Sequence, residues 1–300
     1  MKVLVTGSHG QIGRACLEAP WPKDWQLIGL DRAGLDITDR PSITTACERH
    51  RPDLVINLAA YTAVDRAESE PALAFAVNEA GPEHLAIACD RRRIPLIHLS
   101  TDYVFDGAKP SPYVEEDPVA PLSVYGTSKA TGEHVVRMRL DRHIILRTSW
   151  VYGVHGANFV KTMLRLAESY DELRVVDDQW GAPTSAEDIT QALVTLAQAI
   201  ADGSQCWGTY HFTGSGHTSW AGFAEAIIAA AAPVTKRAPK VARITTADYP
   251  TPARRPVNSR LDCGKIARDF GIVAPDWRVS LSRMLDRHLA TKTPGGIVAP

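Results

Sequence analysis

The chain has 300 residues, 45% of them hydrophobic and 22% charged, with a formal net charge of −1. This is ordinary globular usage in a chain long enough to bury a large core without staples. It excludes a global basic field, so neither nucleic acid nor an anionic membrane surface is an expected partner. The five cysteines, Cys16, Cys47, Cys89, Cys206 and Cys263, form no C-x-x-C pair. Their scatter argues against both a zinc site and a disulfide framework.

Lys2–Thr6 reads as a short buried strand, followed by a glycine-rich turn and a helix from about Gln11. Gln26–Leu30 is the next strand, and Pro41 suits the first turn of a helix running to about His50. Leu54–Leu58 is a third strand, Pro71 opens a long helix to about Arg92, and Pro95–Ser100 is a fourth strand. A helix over Val124–Arg139 and a strand over Ile144–Arg147 complete the alternation. The strands are continuous apolar runs, as expected where both faces are covered. The fold class is therefore α/β, a doubly wound parallel sheet of Rossmann type with a smaller C-terminal substrate lobe.

The expected division is a cofactor-binding domain over residues 1–150, rejoined by elements within 181–212, and a discontinuous lobe over 151–300. Helices are expected near Asn158–Ser169, Ala186–Ala201, Trp220–Ala231 and Leu281–Leu289, with Ala232–Pro256 irregular. The apolar run near Ala224–Val234 is too short to span a bilayer, and no leader pattern opens the chain. A cytoplasmic location is the expectation.

Thr6-Gly7-Ser8-His9-Gly10-Gln11-Ile12-Gly13 places three glycines between a strand and a helix. Gly7 permits the sharp turn, Gly10 lets backbone approach a pyrophosphate, and Gly13 lets helix and strand pack closely. The free N–H groups of the helix start attract phosphate. Asp31 ends the second strand, where an acid can take the ribose hydroxyls of NAD, while Arg32 can instead receive a 2′-phosphate. NADPH and NADH both stay open. Asp36 and Ile37 lie in a loop able to flank the adenine, and the small Ala59 and Ala60 let backbone approach the cofactor.

Thr101 ends the fourth strand, and Tyr125 and Lys129 stand four apart at a helix start, on one face. A phenol with pKa near ~10 exchanges protons poorly at neutral pH, and a nearby ammonium is expected to lower it. Lys129 can also hold a ribose, and Thr101 can align a carbonyl.

Together with Asn57–Asp65, Ser100–Phe105, Arg147–Tyr152, Asp178–Thr184 and Tyr249–Leu261, these motifs make the chain resemble the extended short-chain dehydrogenase/reductase family over nearly its whole length. The last three motifs narrow the resemblance to reductases of dTDP-4-dehydro sugars. It implies reduction of the C4 ketone of dTDP-4-dehydro-β-L-rhamnose to dTDP-β-L-rhamnose, with Tyr125 as proton donor, Lys129 as its partner and Thr101 as helper. Gly10, Gln11, Ile12, Asp31, Asp36, Ile37, Ala60, Tyr61 and Thr62 would line the cofactor, and Thr101, Asp102 and Trp150 would contact the sugar nucleotide. Alternative readings are a nucleotide-sugar 4-epimerase or dehydratase, and a non-catalytic NAD(P)-binding regulatory subunit.

Some members of the family hold magnesium at a dimer interface through three glutamates. The matching positions here are Ala15, Glu187 and Arg287, so no metal is expected and the chain would be a monomer or a weak homodimer without a metal bridge. Arg255 and Arg260, in a basic stretch, are candidates for the substrate diphosphate. His98, within a buried strand, reads as a packed side chain rather than a ligand.

Overall fold

The computed structural model describes residues 1–290. β1 (Lys2–Thr6), α1 (Gln11–Glu18), β2 (Gln26–Leu30), α2 (Arg40–His50) and β3 (Leu54–Asn57) alternate from the start of the chain. The short helices α3 (Val64–Ala67) and α4 (Pro71–Phe75) follow, then a π-helical turn over Ala76–Ala80, and then α5 (Gly81–Arg92). β4 (Leu96–Thr101) leads through a 3-10 turn to α6 (Val124–Arg139) and β5 (His143–Thr148).

The expected long helix from Pro71 to Arg92 is therefore interrupted. Pro82 has no N–H to return to the Asn78 carbonyl, and the helix widens there into wider turns.

The second half holds β6 (Val151–Tyr152), α7 (Phe159–Ala167), β7 (Glu172–Val176), β8 (Trp180–Gly181), β9 (Thr184–Ser185) and α8 (Ala186–Ala201). β10 (Gly208–His211), β11 (Thr218–Ser219), α9 (Trp220–Thr235), β12 (Lys240–Ile244), α10 (Gly264–Phe270) and α11 (Trp277–Ala290) complete it. The expectation of irregular chain over Ala232–Pro256 is corrected: β12 pairs in parallel with β7, Lys240 opposite Glu172 through Ile244 opposite Val176. The charged residues of β12 masked it, because a two-stranded edge needs only one apolar face.

The main sheet has six parallel strands in the order β10-β5-β4-β3-β1-β2. Alternate strand residues feed two cores. Val3, Val5, Ile56, Ile97, Ile144 and Leu146 pack with Ile189, Leu193 and Leu196 of α8. Leu4, Val55, Leu96 and Ile145 pack on the other face with Leu85 of α5 and Val136 of α6. That period-two division explains the unbroken apolar runs. The chain returns from β10 to pair with β5. A third core joins α7, α9 and α11 around Tyr152, Phe223 and Trp277. No helix among the described residues is long and apolar enough to cross a membrane.

The connection from β1 passes to β2 on one side and β3 lies on the other, so the strand order reverses between β1 and β3. Ligands of such sheets sit outside the carboxyl ends of the strands at that point.

Candidate active site

A cleft of about 550 Å³ lies at that reversal, lined by Gly7, Gly10, Gln11, Ile12 and Gly13 on one wall and by Thr101, Asp102, Tyr125, Lys129 and Trp150 on the other. Thr62 also lines it. A second cleft of about 310 Å³ shares Gly7, Gly10, Leu58 and Ala60 and adds Arg32, Asp36, Ile37, Ala59 and Tyr61. The two form one groove across the glycine turn.

The turn is built for close approach. Gly7 has φ +65°, and a Cβ there would stand 2.7 Å from the Ala59 nitrogen. A Cβ on Gly13 would meet the Gly7 carbonyl oxygen at 2.3 Å. No side chain caps the start of α1, so its first N–H groups face the groove with the positive end of the helix dipole. These residues fit the diphosphate of a dinucleotide.

Asp31 is not brought into either cleft. Its carboxylate accepts the Gly34 N–H at 3.0 Å and lies 3.2 Å from His9 Nδ1. Arg32 does line the second cleft, held by its Nε 3.1 Å from Asp36. That end of the groove thus carries the Arg32 guanidinium paired with the Asp36 carboxylate, and not Asp31.

The loop after β3 is clamped by a residue that the linear pattern did not single out. Asn78, in the π-helical turn, accepts the Tyr61 N–H at 2.8 Å and donates to the Tyr61 carbonyl at 3.0 Å and the Ser128 hydroxyl at 3.0 Å.

α6 starts at Ser123, whose hydroxyl accepts the Gly126 N–H at 3.1 Å. Its first turns therefore present Tyr125 and Lys129 to the cleft. Tyr125 is buried, edge-on to Tyr103 at 5.5 Å between ring centroids. Burial pushes its hydroxyl above the usual phenol range; the hydrogen bond with Thr101 works against this and the Asp102 charge adds to it. Lys129 is pushed down to about 8 by burial, with Glu133 opposing. Its Nζ donates to the Leu99 carbonyl at 2.8 Å. Burial, not the expected lowering by the ammonium, sets the direction of the phenol's shift in this geometry.

Thr101 donates to Asp102 Oδ1 at 3.0 Å. Burial pushes the Asp102 carboxyl up to about 6, while Ser259 and Thr101 hydroxyls hold it down. Trp150 adopts φ 48° and stacks on Trp220 at 3.6 Å, so one indole face is taken by protein.

Arg255 and Arg260 do not line the cleft. Arg255 pairs with Asp65 at 2.8 Å. Arg260 Nε donates to Asn258 at 2.8 Å, and its Nη2 to the Pro110 carbonyl at 2.5 Å. Both guanidiniums are spent on tying the C-terminal segment to the main domain.

Ala15, Glu187 and Arg287 do come together on one surface depression. Arg287 lies 3.3 Å from Glu187 and 3.4 Å from Glu18, so a guanidinium bridges the carboxylates. Among the described residues no group of His, Cys, Asp or Glu is placed to hold a metal ion.

Comparison with known proteins places the chain in a family. The family described as RmlD substrate binding domain matches residues 1–290. The dTDP-4-dehydrorhamnose reductase of Sinorhizobium fredii is 50% identical over 287 residues, 95% of this chain and 97% of the relative. The crystal structure of a dTDP-4-dehydrorhamnose reductase from Clostridium acetobutylicum superposes with TM-score 0.89 at 38% identity, covering 96% of this chain and 99% of that one. That of the Bacillus anthracis enzyme in complex with NADP has TM-score 0.88 at 34% identity, covering 95% and 99%. The chain belongs to the RmlD substrate binding domain family.

Proposed function

We propose that this chain is an NADPH-dependent reductase that converts the C4 ketone of dTDP-4-dehydro-β-L-rhamnose to the alcohol of dTDP-β-L-rhamnose. The observation that carries this is the convergence of Tyr125, Lys129, Thr101 and Asp102 on one cleft beside the glycine turn. The printed activity of relatives up to 50% identical over almost the whole chain supports the substrate. The NADP complex of a relative and the guanidinium of Arg32 at the far cleft support the cofactor.

A reduced nicotinamide, when bound, supplies the hydride. The chain's own residues handle the proton and the charge. Tyr125 stays a phenol at neutral pH because burial raises it, and the phenol is the form that can give a proton to the developing alkoxide. Thr101, turning its single proton from Asp102 to the same oxygen as its charge grows, favours the transition state over the ground state. Lys129, one turn along the same helix face, stabilises the phenolate left behind. Asp102 orients the sugar. The uncapped α1 N-terminus behind the glycine cradle favours the diphosphate. The Glu18–Arg287–Glu187 bridge supports a monomer, or a weak dimer without a bridging metal.

The test is NADPH oxidation by the purified protein with dTDP-4-dehydro-β-L-rhamnose, following formation of dTDP-rhamnose. Tyr125→Phe is expected to lower turnover about 10²–10⁴-fold with NADPH affinity retained. Near-normal turnover in that variant would remove Tyr125 from the role of proton donor. Tightly held NAD with no net oxidation would point to an epimerase instead.

A further inference from the structure

Behind the cleft, a buried polar chain runs from the backbone to the lysine. The Ala59 N–H donates to Thr6 Oγ1 at 3.2 Å, and Thr6 Oγ1 stands 2.6 Å from Asn57 Oδ1. Asn57 Nδ2 is 2.9 Å from His98 Nδ1, and His98 Nε2 is 3.4 Å from Lys129 Nζ. All four side chains are at most 2% exposed. They are shielded from bulk solvent.

The direction of each bond follows from the first. A backbone N–H can only donate, so Thr6 accepts it and turns its own proton to Asn57 Oδ1. The Asn57 amide then presents N–H to His98. Nδ1 must accept, which leaves the single proton of the neutral imidazole on Nε2. That N–H faces an ammonium which itself has only donors.

We propose that Thr6, Asn57 and His98 form a one-way hydrogen-bond relay that opposes the ammonium form of Lys129, making His98 a positioning residue that sets the pH at which the lysine gives up its proton. A neutral amine accepts the Nε2–H, and the Leu99 carbonyl then receives an amine N–H; an ammonium keeps Leu99 but meets a donor at His98. The inference rests on the reductase reading only where it touches turnover.

Other charged and titratable groups stand near the lysine. Glu133, on its own helix, favours the ammonium, but its carboxylate is shared with Arg147 from β5 at 2.7 Å and with Arg137 at 3.2 Å. Tyr125 and Asp102 border the cleft side. Burial first, then Lys129, His143 and Arg137, hold His98 well below its ordinary value, so it carries one proton throughout the working range.

The relay is tested by following Lys129 directly. Protein labelled with [¹³C]lysine is titrated by the Cε chemical shift, with the resonance assigned from Lys129→Met. Asn57→Asp places a carboxylate that accepts from both Thr6 and His98 Nδ1, turning Nε2 into an acceptor for the ammonium. The Lys129 midpoint is then expected to rise by about one pH unit or more. Thr6→Val removes the hydroxyl that orients Asn57, without touching His98 or Lys129, and is expected to move the midpoint the same way by less. Midpoints unmoved in the folded variants would overturn the relay, since a purely structural role changes stability but not the titration. Should Asn57→Asp fail to fold, the near-isosteric Thr6→Val decides alone. The alkaline limb of NADPH turnover is expected to follow the midpoint upward. A wild-type protein that does not oxidise NADPH would sink the reductase reading while the lysine titration still judges the relay.

Discussion

Glu133→Gln tests the electrostatic floor beneath the helix that carries Tyr125 and Lys129. Glu133 is fully buried, and its carboxylate accepts Arg147 Nε at 2.8 Å and Nη2 at 2.7 Å and the Ser100 hydroxyl at 2.6 Å. The side chain of Arg147 is only 3% exposed. Glutamine keeps the shape but leaves that guanidinium without a counter-charge in a dry interior. Breaking one partner of a buried pair costs about 3–5 kcal/mol. At about 2–4 °C per kcal/mol for a chain near this size, Tm should fall by about 10 °C.

The pH dependence has a definite sign. Burial pushes Glu133 up, but the Arg147 fork and charge, with Ser100, outweigh it, and the net shift is downward. Its contribution is therefore fully present above the unfolded carboxyl value of about 4.3 and is lost as pH falls through the lower folded value. Wild type and variant should converge in stability only in strong acid. Glu133 also supports the Lys129 ammonium, so the variant's alkaline limb of turnover should move to lower pH. Urea unfolding at neutral pH, repeated down the acid range, measures the first effect, and a pH–rate profile the second. A neutral-pH loss below about 1 kcal/mol, the scale of an exposed pair, would refute the reasoning.

Gly13→Ala forces a methyl group to within 2.3 Å of the Gly7 carbonyl. If the resulting strain of about 1–3 kcal/mol falls on the turn, NADPH affinity should drop about tenfold or more, and an unchanged Kd by fluorescence titration would contradict the close-packing role. Arg32→Ala should raise KM for NADPH about tenfold while sparing NADH, the worth of one hydrogen bond to a charged group; equal effects on both would remove Arg32 from 2′-phosphate recognition. EDTA should leave turnover and Tm unchanged, because Arg287 already bridges Glu18 and Glu187. A loss of either on chelation, restored by magnesium, would show a metal site built elsewhere.

The sheet, its parallel sense and the glycine turn were legible in the linear chain because they rest on local signals: unbroken apolar runs, turn glycines, and prolines at the starts of helices. Tyr125 and Lys129 were legible for the same reason, since helical spacing alone puts both on one face. What lay beyond local pattern was the destination of long polar side chains. Arg255 and Arg260 looked like phosphate ligands in the chain, yet folding brings Asp65, Asn258 and the Pro110 carbonyl to them first. Asp31 sits where a ribose-binding acid is expected, but the Gly34 N–H and His9 engage it. His98 is packed, as its place in a buried strand implies; only the adjacency of β1, β3, β4 and α6 shows that it stands between Asn57 and Lys129. β12 was hidden because its partner β7 lies far back in the chain. Periodicity and turn chemistry are properties of neighbours in sequence, so the chain alone determines them. Hydrogen-bond partners and the burial that shifts a pKa belong to neighbours in space, and those were decided only when the sheet and its helices closed around them.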